Sequence, residues 1–240
     1  MKQMTNRQEQ KLKTRQKIVE AANTCFVRKG MIYTLISDIC KEAEVSVGTF
    51  YHYFTNKNDL IISEFKKFDM GFLEIAERLI DNPDAIDSLL QFSLFFSRDA
   101  DMEDRMLTIE YLKARVSLTV EQLFPQNRPY FLILCTVIYN GQIRKQIRDD
   151  RTPFEIARMV MAVTRGYNFD WASMDGKYDL IEKIRSDMPL ILQGLAYHPD
   201  LPHHRCAREE VFPEQNLPES YAEQTEQLRK YCESRLIISE

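Results

Sequence analysis

Residues Thr34 to Lys57 read TLISDICKEAEVSVGTFYHYFTNK, and the fold is decided there. Ile36, Ile39, Cys40 and Ala43 fall at helical spacing and predict a short helix, with Thr34 as its candidate N-cap. A break at Glu44-Val45 leads to Ser46, a second cap candidate, and to a short helix ending near Tyr53. Two short helices joined by a tight turn, each with apolar residues on its inward face, form a helix-turn-helix pattern. In such a pair the second helix enters the major groove of DNA and the first crosses the backbone. The inward slots around the second helix go to Val45, Phe50 and Phe54, and the outward slots to Val47, Thr49, Tyr51, His52 and Tyr53. Those outward groups suit phosphates, base edges and thymine methyls. Three consecutive helical residues sweep about 200°, so Tyr51, His52 and Tyr53 do not all face inward. That argues against a plain hairpin with an aromatic core. Asn56-Lys57 then sets backbone N–H groups and an ammonium at the next helix start, a ready phosphate site.

Outward from this stretch the chain stays helical. Upstream, Ile18, Ala21, Ala22, Cys25 and Phe26 form one stripe, and Gly30 after Arg28-Lys29 is a helix stop. Downstream, a helix from Asn56 to about Ile80 contains Gly71, which marks either a bend or close packing against a neighbour. Helices follow from Asn82-Pro83 to about Ser97, from Asp101 to about Phe124 and from Arg128-Pro129 to about Arg148. Thr152-Pro153-Phe154-Glu155 is a capping box opening a helix to about Ser173, and a last long helix spans about Tyr178 to Tyr197. Four prolines between Pro199 and Pro218 predict an extended tail, and residues 219–236 an amphipathic helix. The expected fold is all-α, with about nine helices and an appendage. Its expected divisions are a three-helix DNA-binding domain over 1–60, a helical ligand-binding and dimerisation domain over 61–198, and a C-terminal extension over 199–240.

Composition narrows the class. An apolar share of 44% and a charged share of 28% are those of a globular protein. The net charge of −4 conceals an asymmetry, +5 over residues 1–67 and −9 over residues 68–240, as expected if one end meets a polyanion. No run approaches the roughly 18 apolar residues of a membrane span, and the basic N-terminus lacks an apolar stretch behind it. Five widely spaced cysteines without C-x-x-C read as free thiols in a reducing cytoplasm. His198, His203, His204 and Cys206 match no common zinc spacing, so no metal is expected. No Gly-rich phosphate loop, G-x-S-x-G or H-E-x-x-H is present, and neither catalysis nor a cofactor is expected.

Residues of about 12–62 resemble the DNA-binding domain of the tetracycline-repressor (TetR/AcrR) family. The resemblance rests on FVRKG, then TLISDICKEA, then VSVGTFYHYF, then NKNDL. It implies a homodimeric repressor that binds double-stranded DNA at a pseudo-palindromic operator and has a helical, ligand-sensing C-terminal domain. By position it implies DNA contacts from Thr34 and Ser37 on the first helix. On the second it implies contacts from Ser46, Val47, Gly48, Thr49, Tyr51, His52 and Tyr53, with Lys57 on a phosphate. Two positions depart from the pattern: Glu44 stands at the usual turn glycine, and Ser37 where many members carry arginine. The last two long helices would form a dimeric four-helix bundle, with stripes of Ile156, Met159, Val160 and Val163, and of Leu180, Ile184, Met188, Ile191 and Leu195.

The effector is an unknown small molecule, and aromatic and Met side chains suit a mainly apolar one. Candidate pocket residues on the earlier helices are Phe92, Phe95, Phe96, Met102, Met106, Ile109, Tyr111 and Arg115. Phe131, Cys135 and Tyr139 follow; Arg165, like Arg115, reads first as paired or exposed and otherwise as a partner for an anion. Two alternatives stand beside this reading: control of the same fold by a protein partner, and a helical enzyme or scaffold that mimics the motif.

Overall fold

The computed structural model describes residues 6–98, 105–115, 128–202, 207, 211–212 and 219–237. The chain is all-α: α1 (Asn6–Lys29), α2 (Ile36–Glu42), α3 (Val47–Tyr53), α4 (Lys57–Ile80) and α5 (Ala85–Phe96) come first. Then come α6 (Arg105–Arg115), α7 (Pro129–Ile143), α8 (Pro153–Ser173), α9 (Leu180–Leu192) and α10 (Glu219–Ser234). Most starts are set by local chemistry. Ser46, Asn56, Asp84, Thr152 and Asp179 each accept a backbone N–H from the first turn of the helix they precede. The capping box of Thr152 and Glu155 is reciprocal, with Pro153 at the first helical position.

Thr34 is not the cap of α2. It is buried, and its hydroxyl donates to the carbonyls of Cys25 (3.2 Å) and Gly30 (2.9 Å), serving the end of α1; Leu35 holds the N-cap position instead. Helix α7 stops at Ile143, short of the expected Arg148, because the backbone turns through Lys145 in the left-handed region. The 146–148 segment then pairs with 195–197, with Arg148 N–H donating to Leu195 O (2.8 Å) and Tyr197 N–H to Gln146 O (3.0 Å).

Two hydrophobic cores result. The smaller joins Ile18, Ala22, Cys25 and Phe26 of α1 to Ile39 and Cys40 of α2, Phe50 of α3, and Phe54 and Leu60. The larger surrounds α7, which is buried along its whole length from Pro129 to Gln142, with α4, α5, α8 and α10 packed on it. A helix that is apolar all round needs cover on every side. Part of that cover comes from the C-terminal extension, where an extended stretch over 199–218 and an amphipathic helix over 219–236 were expected. Val211, Phe212, Leu228, Cys232 and Leu236 are all buried in the larger core. The Asn140 side chain donates to Arg235 O (3.0 Å) and accepts from Ile237 N–H (2.9 Å), fastening the end of α10 to α7. Burial pushes the Cys232 thiol up to about 12.

Candidate nucleic-acid interface

Helix α3 is held by its two buried rings. Phe50 and Phe54 sink into the smaller core with centroids 5.7 Å apart, and Val45 and Tyr53 pack at its edge. At the N-terminus Ser46 Oγ accepts the Thr49 N–H at 3.0 Å and lies 2.8 Å from the Thr49 hydroxyl. What remains outside is one polar and apolar face: Val47 and Tyr51 are 48% and 54% exposed, and Ser46, Gly48 and His52 are exposed too. Thr49 and Tyr53 are half-buried, and Ser37 on α2 is exposed. The turn before α3 passes through Glu44 at φ 50°, the left-handed region that favours glycine. So a left-handed turn is made here without a glycine. The Glu44 carboxylate pairs with Lys17 at 2.8 Å, and that hydrogen bond holds its carboxyl below the usual range.

Two expected contacts are placed differently. Thr34 is buried, and its hydroxyl is already engaged within the domain. The Lys57 ammonium donates to the carbonyls of Met31 (2.5 Å), Ile32 (3.3 Å) and Thr34 (3.0 Å). An ammonium has three hydrogens, so its donors are taken up inside the domain. Lys57 ties the α1–α2 loop to the start of α4, and burial lowers its pKa. A carbonyl-bound ammonium differs from the phosphate contact expected of it.

Helix α6 reaches the same loop from the other side. The Glu110 carboxylate accepts the Met31 N–H at 2.7 Å, and the Tyr111 hydroxyl donates to Asn23 Oδ1 at 2.7 Å. Tyr111 also meets Phe26 edge-on, so it packs on the DNA-facing core with Leu107 and not within the larger core where a pocket was expected. Helix α6 is also bonded to the turn between α8 and α9, through Arg105 at its start to Gly176 O (3.2 Å) and Lys113 near its end to Asp175 (3.1 Å).

Of the other candidate pocket residues, Phe92, Phe96, Ile109, Phe131, Cys135 and Tyr139 are buried in the larger core, and Phe95 is half-buried against it. Met106 is 46% exposed, which removes it from the core. Met102 lies outside the described residues, as does the side chain of Arg115. The sequence reading missed Phe68, Phe72 and Tyr130, whose rings pack among Phe92, Phe95 and Phe96 at centroid distances of 5.0–6.3 Å. Phe68 and Phe72 stand one helical turn apart, a signal that was available. Arg165 donates to the Tyr130 hydroxyl at 2.8 Å. Gly71 lies in an unbroken helix, and a Cβ there would come within 2.8 Å of Arg98, whose guanidinium covers the Phe95 and Phe68 rings. The glycine leaves room for the Arg98 guanidinium, the mobile end of a flexible side chain. A cavity of about 310 Å³ opens between Arg105, Trp171 and the 176–181 turn, and none of the eleven expected pocket residues lines it.

Among the described residues, no cluster of His, Cys, Asp and Glu is arranged to hold a metal ion; His203, His204 and Cys206 lie outside them. No described helix is long and apolar enough to cross a membrane.

Residues 18–63 match the model of bacterial regulatory proteins of the tetR family. The match spans α2 and α3 with the flanking parts of α1 and α4, and makes this segment a tetR-type helix-turn-helix domain. A chain carrying that domain is a DNA-binding transcriptional regulator and not an enzyme. The chain is 26% identical over 181 residues to the fatty acid metabolism regulator protein of Bacillus subtilis, covering 74% of this chain and 93% of the relative. It is 28% identical over 105 residues to the biofilm operon icaADBC negative transcriptional regulator IcaR of Staphylococcus epidermidis, covering 44% of this chain and 57% of the relative. The TetR-family architecture extends through the second core. The crystal structure of Bacillus subtilis FadR in complex with stearoyl-CoA superposes with a TM-score of 0.60 at 26% identity, covering 75% of this chain and 98% of that one.

Proposed function

We propose that this chain is a homodimeric repressor that sets the α3 helix of each protomer into the major groove of a pseudo-palindromic operator and is released by a small, mainly apolar effector. The observation that carries the DNA side is the outward face of α3. It is rigid, because Ser46 caps it and Phe50 and Phe54 anchor it, and yet Val47 and Tyr51 stand in solvent. Exposed apolar groups on a capped, anchored helix suit thymine methyls and base edges. Ser37, Ser46, Gly48, Thr49, His52 and Tyr53 complete the contact surface. Thr34 and Lys57 act one step back, by fixing the loop beside it.

The second copy belongs on α8 and α9. The stripes chosen from sequence mostly serve this chain's own core, where Ile156, Val160, Leu180, Ile184, Met188 and Leu195 are buried. The exposed apolar groups are Met159, Phe169 and Met174 on or beside α8, and Leu190 and Ile191 on α9. Gly166 on the same exposed side has open space around its Cα, room for a partner helix to approach closely. Residues 1–60 are thus assigned to DNA, 61–198 to effector and dimer, and 199–240 to closing the effector core around α7.

For the effector, the support is the likeness to a fatty acid metabolism regulator and to a structure holding stearoyl-CoA, together with the aromatic cluster around Tyr130. A long-chain acyl thioester is the proposed class. The route between the sites is α6, which bonds both the α8–α9 turn, through Arg105 and Lys113, and the loop that Lys57 grips, through Glu110. An effector that favours the DNA-incompetent arrangement must weaken operator binding by the same factor that operator weakens effector binding. The test is a titration of stearoyl-CoA into the operator complex, followed by fluorescence anisotropy. Release with equal reciprocal factors is expected; an operator complex unmoved by acyl-CoA at saturation contradicts this effector class.

A further inference from the structure

Helix α2 begins on an exception. Ser46, Asn56, Asp84, Thr152 and Asp179 each place a side-chain oxygen on the first-turn N–H groups of their helix, whereas the N-cap of α2 is Leu35, which has no oxygen to offer. Only one half of a capping box exists there, the Asp38 carboxylate accepting the Leu35 N–H at 3.1 Å. The leucine side chain is not in the core either. It is 64% exposed, and Ile32 and Tyr33 beside it are each 77% exposed. Three large apolar side chains within four residues thus stand in solvent.

The loop that carries them is rigid. Lys57 holds the carbonyls of Met31, Ile32 and Thr34, Glu110 holds the Met31 N–H, and the Thr34 side chain is locked beneath. Backbone groups are therefore turned inward along this loop while Ile32, Tyr33 and Leu35 are presented outward. The anchor, Lys57, follows α3 by only a few residues, so the loop is tied to the chain that leaves the recognition helix. In a helix-turn-helix pair the first helix crosses the sugar-phosphate backbone. A rigid apolar edge at that place, whose Lys57 ammonium is spent on its own carbonyls and whose Lys29 is paired with Asp38, matches the apolar faces of deoxyriboses rather than phosphates.

Resting on the helix-turn-helix reading above, we infer that Ile32, Tyr33 and Leu35 form an apolar clamp that packs on the operator's deoxyriboses where α2 crosses the backbone. It adds affinity that does not depend on salt, in contrast to phosphate contacts, which release counterions. The missing cap is the trade made for it.

Leu35→Thr tests this because the two roles predict opposite signs. Threonine supplies the cap, so the melting temperature should rise by about 2–4 °C. Losing part of a buried leucine contact should nevertheless weaken operator binding by roughly threefold to tenfold, with the slope of log affinity against log salt unchanged. Ile32→Ser and Tyr33→Ser, which leave the cap position alone, should weaken binding in the same salt-independent way and serve if Leu35→Thr does not fold. Wild-type operator binding that none of the three variants weakens would overturn the clamp alone, as would a loss accompanied by a shallower salt slope. Absence of operator binding by the wild type would instead overturn the helix-turn-helix reading beneath it.

Discussion

Removing one carboxylate on α6 should loosen a loop on the other side of the domain boundary. Glu110 accepts the Met31 N–H at 2.7 Å, and Met31 itself is buried, so the bond is short, charge-assisted and shielded. Hydrogen bonds to charged groups contribute about 1.5–3 kcal/mol, which converts to a factor of about 10 to 150 in a local opening equilibrium. Glu110→Ala should therefore speed exchange of the Met31 amide by that factor, measured residue by residue by NMR. Glu110→Gln keeps an acceptor oxygen without the charge and should recover roughly half of the lost free energy. Ion-pair loss is not the cause of the effect, because the Lys113 contact to Glu110 is long, at 3.9 Å, and Lys113 is largely solvated. Lys113→Ala should leave Met31 exchange unchanged. If the Met31 amide exchanges at the wild-type rate in Glu110→Ala, α6 does not grip this loop, and the proposed route from effector to operator fails with it.

Lys57→Met keeps much of the side chain's bulk but removes the donor to three carbonyls, and should cost about 1–3 kcal/mol of stability by urea denaturation while leaving the salt slope of DNA binding intact. A slope lowered by about 1 at unchanged stability would return Lys57 to a phosphate. Gly141→Ala should destabilise by about 1–3 kcal/mol, because a Cβ there would lie 2.7 Å from Ala85 Cβ and 2.8 Å from Ile147 Cδ1 with α7 packed all round; a wild-type unfolding midpoint contradicts that packing. Met159→Asp combined with Leu190→Asp, two side chains that are 52% and 70% exposed, should shift the protein to monomer in sedimentation without lowering helix content. An unchanged mass would move the dimer interface elsewhere.

The features legible in the sequence are those whose cause is local. Ser46 and Thr152 declare themselves as caps because the groups they bond lie within the next turn, and Phe50 and Phe54 declare an inward face by one-turn spacing. The features less legible in the sequence depend on distant partners. Thr34 looks like a cap until the carbonyl of Cys25 takes its hydroxyl, and Lys57 looks like a phosphate ligand until a loop 26 residues upstream folds onto it. Tyr111 is an aromatic among aromatics in sequence, and only the approach of α6 to α1 reveals Asn23 as its partner. Likewise the prolines between 199 and 218 say nothing of Val211 and Phe212 being buried. Glu44 is the opposite case, since the left-handed turn is retained there without the residue that usually signals it.

The central claim, a symmetric dimer that reads DNA through α3, is tested most directly by selecting bound duplexes from a random library and footprinting the winners. Two inverted half-sites should emerge, with protected centres separated by one helical turn, about 34 Å, or a multiple of it. Repeating the selection with Val47→Ala should change the base preference within each half-site while leaving their spacing alone. A single asymmetric site bound by one protomer, or a preference untouched by Val47→Ala, would contradict the claim.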